Sequence, residues 1–174
     1  MRPSVRKAVL AGAFSALGIV ISPFLSFPML AFKVYPGQHM INALAGVLLG
    51  PWWAALTATI VGTVRIAMGT GTVFAYPGGI PGALVVGLFS WILGKLRVRR
   101  ELAALTEPLG TVLIGGTIAT YVVAPIVGRS LLLLATWTSW AMSSIPGCVA
   151  GYLILEGLRR IGITEDTVTW APTR

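Results

Sequence analysis

Five long stretches of this sequence carry no charged side chain: residues 8–32, 34–64, 66–94, 108–128 and 130–155. Each is at least as long as the roughly 20 apolar residues that one membrane-spanning helix needs. Composition agrees, with 56% apolar or aromatic and only 10% charged residues, against about 25% charged in an ordinary soluble domain. A water-soluble monomer is excluded on this ground. With 174 residues in all, too little chain remains outside these stretches for a separate catalytic or nucleotide-binding domain.

The charges that punctuate the stretches are lopsided, 13 Lys and Arg against 5 acids. They fall in three clusters: Arg2, Arg6 and Lys7; Lys95, Arg97, Arg99 and Arg100; and Arg159, Arg160 and Arg174. Only Lys33, Arg65 and Arg129 lie elsewhere. Basic residues gather on the cytoplasmic side of membrane proteins, so this pattern is read as topology and not as a nucleic-acid surface. Residues 34–94 are too long for two spans and break at Gly50-Pro51 and from Gly69 through Pro81-Gly82, which makes three helices there. The expected fold is an all-α membrane protein of six transmembrane helices, near 5–21, 37–50, 51–69, 78–95, 105–127 and 131–158, with both termini cytoplasmic. Residues 1–163 would form this single domain and 164–174 a polar cytoplasmic tail. The charged start does not read as a secretory signal, because Pro23-Phe-Leu-Ser-Phe-Pro28 follows the apolar run where a small-x-small cleavage site would stand. The lone Cys148 allows no internal disulfide.

The rarest polar residues mark a candidate site. Gln38, His39 and Asn42 are the only Gln, His and Asn in the chain. On a helix they share one face, either as a ligand surface entered from the Tyr35-Pro36-Gly37 bend or as interhelical hydrogen-bond glue. Arg65 lies fourteen residues into a helix starting at Pro51, a rise of about 21 Å. A cation at that depth marks an interior site or cavity, unless its long side chain snorkels to the headgroups. The stretches Gly69-Thr70-Gly71-Thr72 and Tyr76-Pro77-Gly78-Gly79 read as a flexible loop whose backbone amides approach a ligand. They lack the ending of an ATP-binding loop. In the last helix Trp137, Trp140 and Ser144 share a face. They suit either an aromatic pocket wall, with Ser139, Ser143 or Ser144 bonding the ligand edge, or belt anchoring at the membrane interface. The Phe- and Pro-rich stretch 22–32 would cover such a pocket or lie on the membrane.

Catalytic constellations are missing. All five acids, Glu101, Glu107, Glu156, Glu165 and Asp166, are expected on the cytoplasmic side, leaving no carboxylate to orient His39. An enzyme is therefore not expected. One His and one Cys on different helices make a poor metal site, and proton-coupled transport would need a buried acid.

The segments Tyr35-Pro-Gly-Gln-His-Met-Ile-Asn42, Gly46-Val-Leu-Leu-Gly-Pro-Trp52 and Arg65 through Gly79 resemble the ThiW family of substrate-binding S components of energy-coupling factor (ECF) transporters. The likeness covers most of the chain, departing from the family pattern at Tyr35, Tyr76 and Gly79. It implies an S-component-like bundle in the cell membrane of a prokaryote that binds a thiazole-type thiamine precursor, hydroxyethyl-thiazole or a close relative. The candidate binding residues are Tyr35, Gln38, His39, Asn42, Arg65, Thr70, Tyr76, Trp137, Trp140 and Ser144. The partners implied are a transmembrane coupling subunit and two ATPases that use ATP, with no cofactor or metal in this chain. Ala8, Gly12 and Ala16 form a small-residue strip on helix 1. The resemblance makes it the docking surface, and packing against the chain's own helices is the alternative.

Overall fold

The computed structural model describes residues 3–29 and 32–169. Arg2, Arg174, the tail beyond Thr169, and Leu30 and Ala31 of the Phe- and Pro-rich stretch lie outside them. The chain folds as α1 (Pro3–Phe24), β1 (Phe27–Met29), β2 (Phe32–Val34), α2 (Pro36–Leu49), α3 (Pro51–Ala67) and α4 (Ala75–Lys95). A continuous helical run, α5 (Arg100–Ile126), follows, then α6 (Leu133–Arg160) and the short α7 (Glu165–Thr169).

Among the described residues six helices of 14 residues or more follow one another in the expected order, with differences that matter for the site. Four of them, Ser4–Phe24, Ala75–Lys95, Arg100–Ile126 and Leu133–Arg160, are long and apolar enough to cross a membrane. Helices α2 and α3 have 14 and 17 residues, about 21 and 26 Å of rise, less than the ~30 Å of a hydrocarbon core. They join at Gly50, which caps both at φ +86°, a conformation open to glycine. Pro51 then starts α3 with a ready-made helical φ. All of α2 except Pro36 and Met40 is buried, so this short helix runs through the middle of the bundle with α1, α3, α4, α5 and α6 around it.

The hairpin is a second difference. Instead of a loop from Ser22, α1 continues through Pro23 to Phe24, and β1 and β2 pair antiparallel with Phe27 opposite Val34. Helix α4 begins at Ala75 and not near residue 78, because Pro77 fits a first turn where its missing N–H is not needed. Helix α5 begins at Arg100 and not near residue 105, as a 3-10 stretch through Thr106 followed by π turns at Leu109–Gly115 and Ala119–Val123.

Small residues set the spacing in the interior. Around Ala43, Ala45, Ala54, Ala58, Ala83 and Ala103 the helices pack closely, with Leu44, Leu48, Leu49 and Val86 filling between them. The tightest approach is α4 against α5: a Cβ on Gly110 would collide with the Pro81 carbonyl, and one on Gly82 with Glu107 and Thr111. Glycine lets two backbones meet this closely. Outside, Val9, Val20, Trp52, Ile126, Leu134 and Leu153 are exposed, an apolar belt of the kind a bilayer covers. On α1, Ala11 and Ser15 are buried against the bundle while Ala8, Gly12 and Ala16 are exposed. A Cβ on Gly12 would meet nothing within 4 Å.

Candidate functional site

At the end of the bundle opposite the chain termini, the hairpin, the start of α2, the end of α3, the α3–α4 connection and the first half of α6 enclose a cavity of about 120 Å³. Its aromatic lining is Tyr35, Phe74 and Trp140, and its polar lining includes Gln38, His39 and Ser143. Three cations also line it: Lys33, Arg65 and Arg129. These are the three basic residues that stand outside the sequence clusters. Among the described residues no acid lines the cavity.

Arg65 is the most confined of them, at 1% exposure. Its guanidinium stacks 3.7 Å from the Tyr35 ring centroid. It donates through Nη1 to Gln38 Oε1 and through Nη2 to the Thr70 carbonyl at 3.3 Å. Its Nε is buried without a partner. Tyr35 is fixed at both ends, its hydroxyl donating to the Thr70 carbonyl at 2.8 Å and its backbone N–H to Ser143 Oγ at 2.8 Å. The hairpin is tied down as well, since Ser139 Oγ donates to the Met29 carbonyl at 3.3 Å.

The glycine-rich segment is built differently from the flexible loop expected. The amides of Thr70 and Gly71 both donate to the Arg65 carbonyl at 2.9 Å, finishing α3, so they are not free for a ligand. Tyr76 through Gly79 are helical in the first turns of α4. Gly78 lies against the Trp140 ring, and the Gly79 carbonyl accepts from Asn42 Nδ2 at 3.1 Å.

Glu107 overturns the expectation that no carboxylate reaches His39. It is fully buried, and its Oε1 lies 2.8 Å from His39 Nδ1. Asn42 Nδ2 at 3.1 Å and Thr111 Oγ1 at 2.6 Å donate to the same oxygen, and Ser144 Oγ donates to Oε2. The expectation failed because the chain does not wait for residue 105 to enter the bundle. The 3-10 stretch from Arg100 carries Glu107 about 14 Å inward, at roughly 2.0 Å per residue. A buried acid, expected to be absent, is therefore present. Glu107 thus gathers four polar neighbours, three at Oε1 and one at Oε2, and holds the His39 ring at the cavity wall through Nδ1.

The expected residues thus divide. Tyr35, Gln38, His39, Arg65 and Trp140 line the cavity. Asn42 and Ser144 stand behind it on Glu107. Thr70 contributes its carbonyl to Arg65 and Tyr35. Trp137 packs on Gly116 of α5 with its indole Nε1 buried and unpartnered, and Tyr76 pairs its hydroxyl with Thr63 at 3.1 Å on the α3–α4 face. Sequence reasoning did not connect Lys33, Phe74, Glu107, Thr111 and Arg129 with the site. A signal existed for two of them, because Lys33 and Arg129 break the clustering of basic residues.

A cavity with aromatic walls and a few placed polar groups suits a small organic ligand. At about 120 Å³ the cavity is of the same order as the ~150 Å³ apolar cavity that takes benzene, the scale of a single small ring. Neither the curated proteins nor the solved structures contain a match to this chain. The sequence model of the family described as thiamine-precursor transporter protein (ThiW) matches residues 8–161. With most of its length matched, the chain belongs to the ThiW family, a membrane transporter family whose substrates are small molecules of the thiamine-precursor kind.

Proposed function

We propose that this chain is the substrate-binding S component of an ECF-type transporter, and that the cavity beside Arg65 binds the thiazole precursor of thiamine, hydroxyethyl-thiazole or a close relative. The observation that carries the reading is the size and lining of the cavity: room for one ring, walls of Tyr35, Phe74 and Trp140, and hydrogen-bonding groups on Gln38, His39 and Ser143. The ring stacks between the aromatic walls, while His39, held through Nδ1 by Glu107, is placed to hydrogen-bond the ligand's hydroxyl.

In this reading the termini face the cytoplasm, the six long helices form the membrane domain of a prokaryotic cell membrane, and the cavity opens to the outside. Release into the cell is driven by two ATPase subunits through a transmembrane coupling subunit that docks on Ala8, Gly12 and Ala16. The exposure of that strip supports the assignment. The test is to purify the chain in mild detergent and identify by mass spectrometry the small molecule it carries, followed by calorimetric titration with hydroxyethyl-thiazole. A thiazole compound in the protein, displaced by added thiazole, is the expected result. A different vitamin or precursor in its place overturns the substrate.

A further inference from the structure

We infer that the ligand of this cavity carries an oxyanion, a carboxylate or a phosphate monoester, which serves as the counter-ion of Arg65. The inference rests on the reading above that the cavity takes hydroxyethyl-thiazole or a close relative, and it selects, among those relatives, the ones whose side chain carries an anion.

The first reason is the state of Arg65. A cation withdrawn from water is costly unless it is paired, and Arg65 is 1% exposed. Its partners, the Gln38 amide, the Thr70 carbonyl and the Tyr35 ring, are all neutral. Nε donates to nothing.

The second reason is the company Arg65 keeps. Lys33 and Arg129 line the same cavity, and both are exposed, so they stand toward its mouth. The carboxylate nearest in the network, Glu107, is turned to His39, Asn42, Thr111 and Ser144. Three cations facing one concave space with no acid in its lining concentrate an anion there. Membrane orientation does not account for them, since the three lie apart from the basic clusters that set it. A neutral alcohol would leave all of this charge without a purpose in the pocket.

The experiment titrates the purified full-length chain in detergent with three probes: hydroxyethyl-thiazole, its phosphate monoester, and a thiazole bearing a carboxylate on the side chain. At least one anionic probe should bind about 10-fold or more tighter than the alcohol, the size expected for a charged hydrogen bond. Which anion binds tighter identifies the source of the oxyanion. Arg65→Gln should remove that preference, weakening the anion about 10-fold more than it weakens the alcohol. If Arg65→Gln does not fold, the exposed positions give the same reading: Lys33→Gln and Arg129→Gln together should lower the affinity of the anion more than that of the alcohol, and raised salt should do likewise. An alcohol that binds as tightly as both anions overturns the inference and leaves the thiazole reading intact. If none of the three binds, both fall.

Discussion

The two ends of the bundle treat arginine in opposite ways. At the end that carries the termini, guanidinium groups meet carboxylates in partly solvated positions. Glu156 receives Arg99, Arg159 at 2.9 Å and Arg160 at 3.4 Å, and Arg100 reaches Glu165 and, at 4.0 Å, Asp166 of α7. At the hairpin end Arg65 is buried deeper than any of these and meets no carboxylate among the described residues. Exposed ion pairs contribute little each, and each of these guanidinium groups already has its counter-ion within the chain. A buried cation among neutral groups is not explained by the protein alone, and that asymmetry points to the hairpin end as the place a ligand completes.

Glu107 is the counterpart of Arg65, a buried carboxylate with four polar partners, and it should show the largest effect. Glu107→Gln replaces an acceptor by a donor in front of His39, Asn42, Thr111 and Ser144. At least one buried group then loses its partner, at about 1–3 kcal/mol. A lower thermal midpoint in detergent, together with loss of ligand binding, is expected. Full stability and full affinity in Glu107→Gln would show that the carboxylate is not the hub of this network.

His39→Ala comes next. It removes the cavity-lining ring that Glu107 holds and should weaken ligand binding by about 10-fold, the value of one buried hydrogen bond of ~1.5 kcal/mol. Asn42→Ala should act with similar size but indirectly, because Asn42 touches Glu107 and Gly79 and does not line the cavity. Calorimetry on the two variants distinguishes these routes. A conservative Asn42→Asp brings a second carboxylate beside Glu107 and should cost stability, whereas His39→Gln keeps a polar group in the cavity and should recover part of the affinity.

The uncharged runs showed where helices form, and the clustering of Gln38, His39 and Asn42 with the deep position of Arg65 led to the residues around the cavity. Those signals are local: a rare polar residue in an apolar run has few reasons to be there. Glu107 was misread because an acid at the edge of an apolar run looks like a loop residue, and only the tight winding from Arg100 shows that the helix has already entered the bundle. Lys33, on the hairpin, and Arg129, between α5 and α6, are remote in sequence. Their convergence on the cavity that Arg65 lines is a property of the packing, which no periodicity encodes. Trp137 and Trp140 share a helical face in the sequence, yet the close approach of Gly116 takes one ring and the cavity the other.

At the termini end the expected effect is small. Arg99→Gln removes one exposed contact to Glu156, which keeps Arg159 and Arg160. It should change stability by less than about 1 kcal/mol and leave ligand affinity unchanged. A loss of binding in Arg99→Gln would break the contrast between the ends, because a charge so far from the cavity would then matter to it.

The smallest effect on the purified protein is expected on the outer face of α1, and it sharpens the contrast in another way. Arg65 is a group waiting for a small ligand, whereas Ala8, Gly12 and Ala16 form a smooth strip that another helix can approach closely. Because a Cβ on Gly12 meets nothing within 4 Å, Gly12→Leu projects into space outside the bundle and should leave folding and ligand affinity as they are. The same change places bulk where a partner helix would lie, so uptake by cells and co-purification with a coupling subunit should be lost. Ala16→Trp should repeat the result one turn further along. A cysteine at residue 98, set at the cytoplasmic end in the proposed orientation, should stay unlabelled by an impermeant thiol reagent applied to intact cells, while one at residue 73 should react. If Gly12→Leu impairs ligand binding in detergent, the strip is coupled to the cavity within this chain, and the division between a ligand end and a partner face does not hold.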